Sequence, residues 1–180
     1  LTLSPLLLDA FFRLSISIVE SPDFNKNSVG IWKTFFEPPA EGVDITTETR
    51  KRINRFLRIA FRGPVATETT DRYTQYALGK LKEGMHYKDT MKKLVSAVLS
   101  SPLFLYHYQP DGPKLRSFAI ASNLSFFLWG SSPDEDLLDL ADSGELTNTE
   151  TLEKTINRML EDPRIERFLD SFPSQWMQLE

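Results

Sequence analysis

The stretch Leu124-Ser-Phe-Phe-Leu-Trp-Gly-Ser-Ser-Pro-Asp-Glu135 decides the fold, because it records one helix ending and the next beginning. Gly130 is the stop. Ser132, Pro133 and Glu135 then supply a start: a hydroxyl N-cap, a proline at the first helical position and a carboxylate at the third to close a capping box. These are marks of architecture, and no reactive constellation surrounds them.

Outward from this junction the helical period continues on both sides. Residues 115–129 are apolar on most of the circumference, which predicts a central helix. Residues 133–142 form the next, closed by Gly144, followed by 149–161 with its stripe Leu152, Ile156, Met159 and Leu160. Asp162-Pro163 restarts a last helix toward Trp176, which Pro173 is expected to kink or break. Upstream, Ile53, Phe56, Leu57, Ala60 and Phe61 mark a helix from about residue 47 to Gly63-Pro64. Two more helices are predicted over 67–82 and 87–100, the second stopped by Pro102, and Pro110-Asp111-Gly112-Pro113 reads as a turn.

The N-terminus reads differently. Leu14, Ile16 and Ile18 alternate with Ser15 and Ser17, the period of a half-buried strand, and no second strand follows to pair with it. Residues 12–19 are therefore expected to pair either with chain outside this sequence, the favoured reading, or with a short irregular stretch within it. Residues 21–45, rich in proline, glycine and asparagine, read as a linker pinned by Ile31, Trp32, Phe35 and Phe36. The expected division is thus 1–45 as strand and irregular tail of a preceding β-rich module, and 46–180 as helical sequence truncated at its C-terminus. The fold class is mainly α: an irregular bundle of six or seven short helices with that N-terminal strand.

Composition bounds the function. The chain has 180 residues, 41% of them hydrophobic, enough for a packed core. A net charge of -4 argues against generic nucleic-acid binding. With no cysteine, the chain has no disulfide, thiolate metal site or covalent haem attachment. Pro5, Asp9 and Arg13 interrupt the apolar N-terminus, which spoils both a signal-peptide core and a spanning helix. The sequence starts at Leu1 and reads as part of a longer protein.

Residues able to carry chemistry have architectural readings beside them. His86 and His107 lack the helical spacing of a zinc site, and His107 in Leu-Tyr-His-Tyr reads as a partly buried histidine among aromatics rather than a general base. Asp134, Glu135 and Asp136 suit a helix N-terminus better than acid/base work. Phe126, Phe127 and Trp129, with Phe104, Tyr106, Phe118, Phe168, Phe172 and Trp176, have helical spacing and read as core rather than a pocket lining. The sequon at Asn123 falls inside an apolar helix and is expected to be inaccessible. Walker, dinucleotide and serine-elbow motifs are absent.

Charge is unevenly spread. Between Arg50 and Lys93 twelve bases face four acids, and between Ser131 and Asp170 twelve acids face four bases. Two explanations stand: the charges pair internally, or the first secure helix presents Arg50, Lys51, Arg52, Arg55 and Arg58 as a partner surface. Internal pairing and solvated faces are favoured.

Several ordered motifs carry a family resemblance: Ala60-Phe61-Arg62-Gly63-Pro64-Val65, Ser101-Pro102-Leu103-Phe104-Leu105-Tyr106, Leu124 to Trp129, Pro133-Asp134, Gly144-Glu145-Leu146, Arg158 to Arg164, and Phe172 to Met177. Over residues 50–180 the chain resembles large planctomycete-type proteins in which domains of unknown function are joined to cytochrome-c-like modules. His107, Gln109 and Asn123 depart from the family pattern, where charged residues stand, and suggest an ion-pair network lost together.

The resemblance implies a periplasmic or secreted multidomain protein with no cofactor in this segment and haem elsewhere in the parent. It carries over no catalytic residue. The expected role is a non-catalytic structural or docking module whose partners are neighbouring domains of the same polypeptide and a possible protein partner, with no nucleic acid and no membrane span. The alternatives are part of a redox or polysaccharide-active enzyme whose site lies mostly elsewhere, and anion or protein binding through Arg50 to Arg58.

Overall fold

The computed structural model describes residues 4–106 and 113–177. They contain nine α-helices: α1 (Pro5–Glu20), α2 (Ile45–Ala60), α3 (Thr67–Lys82), α4 (Tyr87–Leu99), α5 (Pro102–Leu105), α6 (Pro113–Trp129), α7 (Glu135–Ser143), α8 (Thr149–Glu161) and α9 (Glu166–Met177). A π-helical turn spans Trp32–Phe36, and 3-10 turns span Glu145–Thr147 and Pro163–Ile165. The fold is mainly α, with α1 and α5 added to the seven helices that the periodicity marks.

No strand occurs among the described residues, and the expected N-terminal strand is a correction. Residues 14–18 lie inside α1, which starts at Pro5 with the Ser4 side chain accepting from the Leu7 N–H. The face that α1 buries runs through Leu8, Phe11, Ser15 and Val19, a helical spacing, whereas Leu14 and Ile18 of the alternating set are exposed. The alternation was a coincidence of two apolar faces on one helix. Ser15 points inward because α1 crosses α4 closely there: its carbonyl faces the Ser96 hydroxyl, and two small side chains let the backbones approach.

The chain divides into two compact units, Leu1–Phe61 with Val65–His107, and Arg62–Pro64 with Tyr108–Glu180. In the first unit α4 is the hub, touching α1, α2, α3, α5 and the π turn. Met91, Leu94 and Val98 on α4 are fully buried with Ile53 and Leu57 of α2 and Ala77 of α3. Each such leucine or isoleucine contributes roughly 1.5–3 kcal/mol relative to an exposed one. Phe35 and Phe36 enter the same core and pin residues 21–44 as expected, although Ile31 stays exposed. α2 stops at Phe61, and Arg62, not Gly63, takes the left-handed position at φ 59°.

In the second unit α6 is central, touching α7, α8, α9 and both 3-10 turns. Phe118, Ala121, Ser125, Leu128 and Trp129 face inward. Asn123, Phe126 and Phe127 are exposed, so the expectation of an inaccessible Asn123 does not hold, although the Ser125 hydroxyl of its sequon is buried and donates to the Ser122 carbonyl. Gly130 and Gly144 end α6 and α7 with positive φ, as their positions required. α9 runs on through position 173, so Pro173 does not end it; one missing N–H does not stop a helix whose other backbone bonds remain.

Among the described residues no helix is long and apolar enough to cross a membrane.

Candidate functional site

Trp129 is the anchor of the most organised polar cluster. It is fully buried at the end of α6, and its ring Nε1–H donates to the Met159 carbonyl of α8 at 3.0 Å. A buried indole needs such an acceptor. The Arg164 guanidinium carbon lies 3.4 Å from the centre of the Trp129 ring, and that of Arg158 lies 5.6 Å away. Two cations therefore meet one aromatic ring.

Two carboxylates complete the cluster. Asp162 holds Arg164 through Nε at 2.8 Å and Nη2 at 2.6 Å, a forked pair. Asp134 accepts from Arg158 Nη1 and Arg164 Nη2, each at 3.1 Å. It also caps α7 by accepting from the Leu137 N–H at 3.0 Å. Asp134 is thus the N-cap, and the expected cap at Ser132 is a correction. The carboxylate of Asp134 serves the helix and two arginines at once, which a serine hydroxyl at position 132 does not. Arg167 closes the group by donating to the Trp129 carbonyl at 3.2 Å.

The electrostatics follow from these contacts. Partial burial opposes ionisation of Asp134, but the hydrogen bonds from Arg158, the Leu137 N–H and Arg164 outweigh it and lower its pKa. The Arg164 guanidinium and backbone N–H hold the Asp162 carboxyl down to about 2. Asp162 in turn raises the pKa of Arg164. Asp134, Asp162 and Arg164 are therefore charged at neutral pH and directed at one another. Such an arrangement clamps elements together and offers no group poised to exchange a proton near neutrality.

The five basic residues expected as a partner surface are not equivalent. Arg50 binds Asp71 of α3 at 2.6 Å. Arg52 binds Glu48 at 2.8 Å, donates to the Glu37 carbonyl at 2.7 Å and lies over the Tyr87 ring. The Arg52 hydrogen bond lowers the pKa of Glu48. Lys51, Arg55 and Arg58 form a separate stripe at i, i+4 and i+7. At about 100° per residue this stripe lies on the side of α2 away from buried Thr49, Ile53, Leu57 and Ala60.

The other singled-out residues fall as follows. His86 is exposed at the N-cap of α4, while His107 and Gln109 lie outside the described residues. Trp129 and Phe118 are core, as expected. Phe127 is exposed and packs its ring on Phe168 at 5.0 Å, with Phe172 stacked on Phe168 at 4.7 Å. The side chain of Trp176 is outside the described residues. Among the described residues no three of His, Cys, Asp and Glu gather as a group able to hold a metal ion.

Sequence reasoning quoted Trp129, Asp134, Arg158, Asp162 and Arg164 in separate motifs without joining them. The available signal was electrostatic: two arginines in one short segment of an acidic region, with a tryptophan and an aspartate upstream.

No curated protein and no solved structure matches the chain. Two family models do match, one after the other along the chain. Residues 48–108, which hold most of α2 and all of α3 to α5, match the model described as PSD5, protein of unknown function (DUF1595). Residues 115–180, which hold the Trp129 cluster, match the model described as PSD4, protein of unknown function (DUF1592), so this chain is similar to two families of unknown function in succession.

Proposed function

We propose that this chain is a non-catalytic helical module that packs against and positions neighbouring domains of a larger, exported multidomain protein with cytochrome-like modules. One observation carries the reading. The chemistry-bearing residues of the second unit, Asp134, Arg158, Asp162 and Arg164, are committed to one another and to Trp129, and so act as a clamp between helices. A module of this kind needs rigidity from its polar residues and no reactive group. Haem, in this reading, resides elsewhere in the parent, which is periplasmic or secreted.

The test is a reduced-minus-oxidised visible spectrum and haem potential of the intact parent, with and without residues 50–180. Haem bands whose potential shifts on removal, with the remainder folded, support a positioning role. Absence of haem bands from the parent removes the redox setting and leaves a packing module.

A second reading is protein-partner binding through α2. It is favoured by the Lys51, Arg55 and Arg58 stripe, which lies opposite the packed side of its helix.

A further inference from the structure

We draw no further inference here: the strongest candidate, the exposed aromatic patch that Phe127 of α6 forms with Phe168 and Phe172 of α9, carries nothing, because nothing in the structure shows what covers it.

Discussion

The guanidinium carbon of Arg164 lies over Trp129 at 3.4 Å from the ring centre, while its nitrogens hold Asp162 and Asp134. One side chain therefore touches the end of α6, the cap of α7 and the turn after α8. Arg164→Lys keeps the charge but loses the planar fork and the stacking, and should destabilise the second unit by about 1–2 kcal/mol. Urea denaturation of the variant against wild type measures this; an unchanged midpoint would remove the clamp from the account of stability.

Trp129→Phe tests the other half of that relationship. A phenyl ring still fills much of the space, but the Met159 carbonyl loses its N–H partner at a buried position. The expected loss is about 2–3 kcal/mol, from the unpaired carbonyl and the smaller ring together.

The cap of α7 separates two neighbouring residues. Asp134→Ala removes the Leu137 N–H acceptor and strips a carboxylate from Arg158 and Arg164, so a loss of about 2 kcal/mol or more is expected. Ser132→Ala should stay within about 0.5 kcal/mol of wild type. Comparable thermal shifts for the two variants would restore Ser132 as the cap.

Acid should weaken the clamp in a defined window. The Asp162 carboxyl titrates at about 2 in the folded chain against an ordinary value of 3.8. The unfolded chain thus binds the proton first, and stability linked to this group is complete above about pH 4 and lost as pH falls toward 2. Asp162→Asn should therefore differ from wild type in urea midpoint above that window, with the difference shrinking through it.

A helical α1 makes opposite demands on adjacent residues from those of a strand. Ser15→Leu forces bulk into the α1–α4 crossing and should cost about 1–3 kcal/mol, whereas Leu14→Lys falls on an exposed position and should cost little. Hydrogen exchange across residues 5–20 then reports whether α1 stays docked.

The legibility of this chain in its sequence tracks how local each signal is. α3 and α8 were readable to the residue because their apolar stripes recur every turn, with a capping Asn148 added for α8. α1 was misread because both of its faces carry apolar residues, so Leu14, Ile16 and Ile18 satisfied a strand's alternation while Ser15 and Val19 were the residues that pack. The Trp129 cluster was invisible as a unit for a different reason. Its members come from segments about thirty positions apart, and nothing in the period of a helix predicts which arginine will lie over which ring. The basic face was half legible: its composition marked α2, but only the observed pairs to Asp71 and Glu48 show that Arg50 and Arg52 are structural.

The Asp134–Arg164 contact closes a chain excursion with a sequence separation of 30, which leaves at α7 and returns after α8. Such a closure acts on the disordered chain as well as the ordered one, since the entropy of bringing two ends together grows only as the logarithm of the loop they enclose. Each doubling of that loop adds only about 0.6 kcal/mol, so residues added between α7 and α8 cost little in loop entropy, and what limits them is whether buried Leu146 keeps its place. The second unit can accordingly gain residues between its two fastening points at exposed positions, while Leu137, Leu138, Leu146 and Met159 keep the excursion packed.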